Sequence, residues 1–226
     1  MLHHAYVHLG ARHDDLGAAA ATQRDSKMAA FVRAIDEVLK QAVDAALICG
    51  DLFDSNAQPR RSVERAVAEL KRLTDAGVRV VIIPGTHDVY DSRSIYRAFD
   101  LPRLAGLPGG SDLLTVLTPE RPELVIKDLD LIVYGRVFAT KRAPRSPLEG
   151  FSVEADDRAS WKVGMIHGSR QLPGKVDHDE VLFSDAEIAA SGLDYLALGH
   201  WHSFSTGRSG DTTWAYAGAP EPVAVD

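Results

Sequence analysis

The stretch Ala45-Ala46-Leu47-Ile48-Cys49-Gly50-Asp51-Leu52-Phe53-Asp54 contains the most informative pattern in the chain. Its first five residues are all apolar and lack the alternation of a half-exposed strand, which is typical of a strand buried between two layers. A glycine and a polar cluster follow directly. The stretch therefore predicts a buried strand with polar, chemically active side chains at its carboxyl end.

Other apolar runs of the same kind alternate with amphipathic segments along the chain. The runs are Val78 to Ile83, Leu131 to Tyr134, Val163 to Ile166 and Tyr195 to Leu198. The amphipathic segments are Ser26 to Ala42, a helix from near Pro59 to Gly77, and a short helix that opens with the capping box Ser184-Asp185-Ala186-Glu187. We predict connections without regular secondary structure in the stretches Leu101 to Pro122 and Thr140 to Ser160. This alternation predicts an α/β fold.

Length, charge and cysteine content exclude several classes of protein. The chain has 226 residues, 45% of them hydrophobic, and we expect one domain over residues 1–226. A net charge of −7 argues against non-specific binding to nucleic acid or anionic membranes. No apolar run approaches the roughly 20 residues of a membrane helix, and the only cysteine, Cys49, lies in an apolar run. We therefore expect a cytoplasmic protein without membrane association, and a homodimer remains open.

Histidines and aspartates follow the apolar runs in short polar clusters. The clusters are Tyr6-Val7-His8, Gly50-Asp51-Leu52-Phe53-Asp54, Pro84-Gly85-Thr86-His87-Asp88, His167-Gly168 and Gly199-His200-Trp201-His202. Because the carboxyl ends of strands in an α/β sheet converge on one crevice, we expect these clusters to share a site. Imidazole nitrogens and carboxylate oxygens suit Zn²⁺, Mn²⁺ or iron, and the clusters lack thiolates. They predict a catalytic rather than a structural metal site.

Five motifs follow one another along the chain: His8-Leu9-Gly10, Gly50-Asp51-Leu52-Phe53-Asp54, Gly85-Thr86-His87-Asp88, Gly164-Met165-Ile166-His167 and Gly199-His200-Trp201-His202. In this order they resemble the motifs of the calcineurin-like metallophosphoesterase superfamily, and within it the DNA-repair exonuclease branch that includes the SbcCD nuclease. The resemblance implies a four-layer α/β/β/α sandwich with central mixed sheets and helices outside. It also implies a catalytic role for Asp51, which would bridge two metal ions, and for His87, which would contact the phosphoryl oxygens or protonate the leaving group. His8 and His202 would complete one metal centre, and His167 and His200 the other.

Two positions depart from the family pattern. Tyr6 stands where the family has an aspartate, and Thr86 stands where it usually has a metal-binding asparagine. A phenol with an ordinary pKa of about 10 is a poor ligand for Mn²⁺, although Fe³⁺ can stabilise the phenolate. The expected cofactors are therefore two divalent or trivalent metal ions, Mn²⁺ or iron, with Fe³⁺ if Tyr6 binds, and Zn²⁺ remains open.

The function that follows is hydrolysis of phosphoric esters, phosphodiesters in particular, by water activated between two metal ions. One alternative is an SbcD-like DNA exonuclease subunit that works with an ATPase partner. Another, motivated by Tyr6 and Thr86, is a catalytically weak module that binds metal or phosphate. The substrate would be a phosphate ester, with nucleotides and nucleic acids both open. Relatives in the nuclease branch usually continue into a capping region, and we expect none in residues 1–226; the sequence leaves open whether the C-terminus is native or shortened.

Residues beside the motifs have weaker assignments. Asp54 and Asp88 are candidates for acceptors that orient imidazoles, and ordinary capping of a turn is equally consistent with each. Tyr90, Tyr96 and Trp201 could stack on a nucleobase, although packing near the site is the simpler explanation. Four histidines outside the motifs are expected to be surface or strand-end residues: His3, His4, His13 and His178.

Overall fold

The structure is a computed structural model that describes residues 1–5, 7–12, 17, 19–153, 156–176 and 178–219. The strands are β1 (Leu2–His4), β2 (Ala45–Cys49), β3 (Arg79–Ile83), β4 (Leu114–Val116), β5 (Glu123–Ile126), β6 (Leu131–Gly135), β7 (Trp161–His167), β8 (Ser169–Arg170), β9 (Leu182–Phe183), β10 (Tyr195–Gly199), β11 (Ser205–Ser209) and β12 (Thr212–Tyr216). The helices are α1 (Ala20–Lys40), α2 (Arg60–Asp75), α3 (Ile95–Ala98), α4 (Leu101–Leu104) and α5 (Asp185–Ala189).

Two sheets form the centre of the molecule. The first has the order β1-β2-β3-β4, and all of its strands are parallel. The second has the order β11-β12-β10-β7-β6-β5, with a parallel centre and an antiparallel pair at each edge. Parallel pairing places the carboxyl ends of β1, β2 and β3 at one edge of the first sheet, and those of β6, β7 and β10 at one edge of the second. Polar clusters that follow these strands can therefore meet.

The apolar runs are buried on both faces because each sheet lies between two apolar layers. In β2, Ala46 and Ile48 pack toward α1 and α2, whereas Leu47 and Cys49 pack toward the second sheet. The far face of the second sheet packs on α5 and the connections around it, where Ile188 contributes a fully buried side chain. Burying a side chain of this size contributes about 1.5–3 kcal/mol. The predicted four-layer α/β/β/α arrangement is confirmed.

The helices follow the periodicity of the sequence. In α1, Phe31, Ile35 and Val38 recur at helical spacing and are buried, but the helix begins at Ala20, before the predicted start. The helix α2 begins directly after Pro59 and ends before Gly77, whose φ is +80°. The predicted capping box of α5 is present, with Ser184 and Glu187 each accepting the other's backbone N–H.

The sequence does not predict the other strands, because they are short or carry polar residues. These are β1, β4, β5, β8, β9, β11 and β12. Most of them lie at sheet edges; β12 is the exception, since it pairs on both sides. The stretch Leu101 to Pro122, predicted to be a connection, contains α4 and β4. Gly210, with a φ of +59°, lies in the turn between β11 and β12.

Among the residues that the structure places, no helix is long and apolar enough to cross a bilayer.

His3 lies within β1, and its Nδ1 is 2.8 Å from the hydroxyl oxygen of Tyr195 in the second sheet. Burial and the neighbouring His4 lower the pKa of His3 from 6.5 to about 4. The unfolded chain thus binds more protons than the folded chain between these values. We expect this residue to reduce the free energy of unfolding by about 3 kcal/mol as the pH falls through this window.

Urea unfolding between pH 7 and pH 4 tests this prediction. In His3→Asn, whose amide can retain the bond to Tyr195, stability should fall less with acid than in the wild type. The matched control is His178→Asn, which makes the same change at an exposed histidine. Equal slopes for the wild type and His3→Asn would contradict the assignment.

Candidate metal centre

The predicted site residues lie where strands of both sheets end. Asp51 follows β2 after one glycine, His87 lies in the loop after β3, His167 is the last residue of β7, and His200 follows β10. His8 reaches the same place because the backbone N–H groups of Val7 and His8 both donate to the carbonyl oxygen of Asp51, at 3.0 and 2.9 Å. The two sheets thus bring together residues from five segments of the chain.

Asp51 is the centre of this group. Its side chain is fully buried, and its Oδ1 accepts a hydrogen bond of 2.8 Å from the backbone N–H of His87. Its Oδ2 lies 3.1 Å from Nε2 of His167 and 3.4 Å from Nε2 of His8. Within the described chain this buried oxygen accepts no hydrogen bond of good geometry. A buried carboxylate oxygen in that state is stabilised only by positive charge.

The tautomers of the two imidazoles follow from their other partners. Nδ1 of His167 lies 2.9 Å from the carbonyl oxygen of Cys49, and Nδ1 of His8 lies 3.1 Å from Oδ1 of Asp54. Both oxygens only accept, so each Nδ1 carries the proton and each neutral ring has a lone pair on Nε2. Two lone pairs and an anionic oxygen therefore converge, which is a donor set suited to a divalent cation.

The pKa shifts of these buried groups agree with a site for a cation. Burial alone would raise the pKa of Asp51, but the facing imidazoles of His167 and His8 outweigh it and hold that pKa well below its usual value. Burial likewise opposes protonation of His8 and His167, but Asp51, together with Asp54 in the case of His8, outweighs it and raises both pKa values. Without a metal ion, protons would occupy the place that the donor set offers to a cation.

Strained backbone is concentrated at the same residues. His8, Asp51 and His200 have φ values of 49°, 53° and 100°, in a region that side chains other than glycine rarely adopt. Among the described residues other than glycine, only Ala42 and Asp130 share a positive φ. Each such residue costs about 1–3 kcal/mol, and such strain is typical of functional sites.

Asp88 anchors the loops of the site rather than an imidazole. It is fully buried and accepts backbone N–H bonds from Asp51, Phe53 and Gly85 at 3.2, 3.1 and 2.7 Å. The hydroxyl of Tyr96 donates to it at 2.6 Å. Of the two explanations weighed for Asp88, anchoring of the turn is the one observed. Asp54, in contrast, does accept from an imidazole, that of His8.

His87 lies at the open side of the group. Its side chain is exposed, its Nδ1 lies 3.1 Å from the carbonyl oxygen of Asp54, and its ring meets that of His8 edge-on at 4.4 Å. His8, Asp51 and His87 each offer a ligand atom within 4.8 Å of the others. The geometry thus allows His87 either to bind a cation or to contact a substrate.

The other predicted ligands lie at different distances from the group of His8, Asp51 and His87. Nδ1 of His200 lies 3.3 Å from Nε2 of His167, which extends the group on that side. Thr86 is buried between Gly85 and His87. His202 is exposed and, among the described residues, lies outside the three-residue group; its carbonyl oxygen accepts from the backbone N–H of Ala219 at 2.8 Å. Tyr6 lies outside the residues that the structure describes.

Gly199 permits the two sheets to meet at the site. A Cβ there would lie 1.8 Å from the carbonyl oxygen of Cys49 and 3.0 Å from Nδ1 of His167. We expect Gly199→Ala to lower the free energy of unfolding by about 3 kcal/mol, because backbone atoms must move apart. Urea unfolding measures this, with Gly109→Ala as the control, since a Cβ at Gly109 meets no atom within 4 Å. An unchanged Gly199→Ala stability would contradict the close approach.

The aromatic candidates for base stacking are engaged within the protein. Trp201 stacks on Tyr216 at 5.3 Å, Tyr90 lies under the guanidinium of Arg97, and Tyr96 is bound to Asp88. Phe204, close behind His202 in the chain, is 71% exposed and was not singled out from the sequence, because a single aromatic residue in a loop has no pattern.

Comparison with known proteins agrees with this geometry. The sequence model of a family described as calcineurin-like phosphoesterase matches residues 3–204. The chain belongs to the calcineurin-like phosphoesterase family. The predicted superfamily is thus confirmed, and the predicted enzyme class, a metal-dependent phosphoester hydrolase, is the class of this family.

Two curated relatives share the name DNA double-strand break repair protein Mre11. The protein from Aeropyrum pernix is 31% identical over 231 residues, which cover 100% of this chain and 54% of that protein. The protein from Sulfurisphaera tokodaii is 34% identical over 90% of this chain and 49% of its own length. The chain spans about half the length of these relatives. The similarity supports the predicted DNA-repair nuclease branch.

A solved structure supports the fold independently. A crystal structure of a protein from Thermus thermophilus superimposes with a TM-score of 0.58 and covers 97% of this chain and 89% of its own. Its sequence identity of 14% is low, so the comparison bears on the fold alone.

Proposed function

We propose that this chain hydrolyses phosphodiesters with the help of two metal ions held at Asp51. One observation carries the proposal: Oδ2 of Asp51 is buried, accepts no hydrogen bond of good geometry from the described residues and is faced by Nε2 of His8 and His167. A protein gains nothing in stability from such an arrangement unless a cation or protons compensate it.

In this proposal Asp51 would hold both ions, because its anionic carboxylate can offset the charge of two neighbouring cations. His8 and His202 would complete one centre, and His167 and His200 would complete the other. Thr86 and Tyr6 are the further candidates, Tyr6 on the evidence of the sequence alone. Asp54 and the carbonyl oxygen of Cys49 support the proposal, since they hold the imidazoles of His8 and His167 with Nε2 toward Asp51.

The bound ions would activate water and neutralise the charge of the phosphoryl group. The chain itself supplies binding and proton transfer. His87 is exposed beside Asp51, and the carbonyl oxygen of Asp54 fixes its Nδ1, so that Nε2 is available to a phosphoryl oxygen or to the leaving group. As an imidazolium, with a second proton on Nε2, His87 would give that proton to the departing oxygen and become the neutral ring.

The metal pair is proposed to be Mn²⁺ or iron, with Zn²⁺ as a further candidate. If the ion beside Tyr6 is Fe³⁺, its phenolate complex should give a visible charge-transfer band that is lost in Tyr6→Phe. A colourless iron-loaded protein would exclude the phenolate ligand.

The central test combines metal analysis with an assay. Protein purified without added metal is analysed for bound ions, treated with a chelator, and assayed on bis(p-nitrophenyl) phosphate before and after Mn²⁺, Zn²⁺ or Fe²⁺ is restored. We expect about two equivalents of metal and an activity that chelation removes and metal restores. Activity that survives complete removal of metal would exclude the proposed mechanism.

A second candidate is a DNA exonuclease that acts with an ATPase partner, favoured by the similarity to the two proteins named Mre11. DNA contacts through phosphates should make degradation of single-stranded DNA weaken steeply with salt. Cleavage of single-stranded DNA that is as fast as that of the small diester, and salt-dependent, would favour this candidate. Diester hydrolysis without any DNA cleavage would exclude it for this chain. Either candidate function is compatible with a homodimer. Light scattering would measure the oligomeric state.

A further inference from the structure

Asp179, on the segment between β8 and β9, contacts one of the candidate metal ligands. Its Oδ2 lies 3.1 Å from Nε2 of His200. The hydroxyl of Ser169 donates to the same oxygen, and Nε1 of Trp201 donates to the Ser169 hydroxyl oxygen at 2.7 Å. The Asp179 side chain is 21% exposed, and that of His200 is 22% exposed. The backbone N–H of Glu180 donates to the other carboxylate oxygen, Oδ1, at 2.6 Å, so both oxygens are fixed beside the imidazole.

This contact determines which nitrogen of His200 carries the proton. An ionised carboxylate only accepts hydrogen bonds, so Nε2 of His200 is the protonated atom and Nδ1 has the lone pair. Nδ1 lies 3.3 Å from Nε2 of His167, which also has a lone pair because Cys49 binds the proton on the opposite nitrogen. Two acceptor nitrogens therefore face each other, with the rings nearly perpendicular at 82°. Such a pair suits a shared cation.

We propose that Asp179 is a positioning residue that selects Nδ1 of His200 as the metal ligand, and that Ser169 and Trp201 fix its carboxylate. The inference rests on the proposed metal centre. His167 would bind through Nε2 and His200 through Nδ1, so the two ligands of one centre are set by opposite tautomers. The negative charge of Asp179 also makes the imidazole of His200 a stronger ligand for a metal ion.

Three variants test the role of Asp179. Asp179→Ala should weaken Zn²⁺ binding at one of the two centres by about 10- to 100-fold, with the other unchanged. Asp179→Asn should retain most of the affinity, because its amide oxygen can accept the same proton from His200. The matched control Glu180→Ala removes the neighbouring carboxylate, which is paired with Lys141, and should bind Zn²⁺ like the wild type. Titration calorimetry and metal analysis measure the affinities.

A spectroscopic test does not depend on the folding of any variant. Long-range ¹H–¹⁵N spectra of Zn²⁺-loaded wild-type protein, labelled at histidine, distinguish a protonated Nε2 from a metal-bound Nε2. We expect His200 to keep its proton on Nε2 and to bind through Nδ1. Metal bound through Nε2 of His200 would overturn the proposal, as would equal Zn²⁺ affinities in the wild type and Asp179→Ala.

The outcomes separate this inference from the function on which it rests. If the wild type binds no Zn²⁺, both the metal centre and the role of Asp179 are wrong. If the wild type binds two equivalents and hydrolyses a diester, but Asp179→Ala does so equally well, only the role of Asp179 is wrong.

Discussion

Replacing Asp51 by asparagine should abolish the binding of both metal ions and lower phosphodiester hydrolysis by about 10³-fold or more. The reason is electrostatic: a neutral amide cannot offset two cations that repel each other, and the lost stabilisation amounts to several kcal/mol. The variant should still fold, because the amide oxygen can accept the bond that the His87 backbone N–H gives to Asp51.

Metal analysis, circular dichroism and the diester assay together measure this effect. The control is Asp211→Asn, which removes a carboxylate that is fully exposed at the turn between β11 and β12. Wild-type metal content in Asp51→Asn would contradict the bridging role, whatever the activity.

The second large effect is expected for His87→Ala. Loss of a proton donor at the leaving group should lower kcat by about 10²- to 10⁴-fold. Because Asp51, His8 and His167 are untouched, the variant should keep two equivalents of metal. The change should fall mainly on kcat, since the substrate phosphate still meets the metal centre.

His178→Ala, which changes an exposed histidine, is the matched control for His87→Ala. If His87→Ala loses metal together with activity, His87 is a ligand instead, as its position within 4.8 Å of the ligand atoms of His8 and Asp51 would allow. The ratio of metal loss to activity loss therefore distinguishes the two roles of this residue.

Much of the fold could be predicted because the strongest signals are local. The bounds of β2 match the apolar run Ala45 to Cys49, and β3, β6, β7 and β10 differ from their runs by one or two residues at the ends. These strands are covered on both sides, so the side chains of their central residues are apolar, and polar residues such as Arg79 and His167 stand at their ends. Strands such as β11 and β12 carry threonine and serine, and their pairing depends on partners that no local pattern reveals.

The membership of the site was likewise predictable, whereas its hydrogen bonds were not. Glycine, aspartate and histidine at strand ends identify Asp51, His87, His167 and His200 as candidates. Asp179 lies in a charged segment whose composition gives it no distinction from Glu180. Only the fold places its carboxylate 3.1 Å from Nε2 of His200.

The alternation of buried strands and helices, and the types of atom available at the strand ends, follow from local sequence. Burial and ligand chemistry are properties of single residues and short runs. Which nitrogen of His8, His167 and His200 carries the proton depends on the tertiary structure. That choice depends on acceptors far away in the chain, such as the carbonyl oxygen of Cys49 for His167, 118 residues apart. Hydrogen bonds of this kind exist only after the two sheets have packed together.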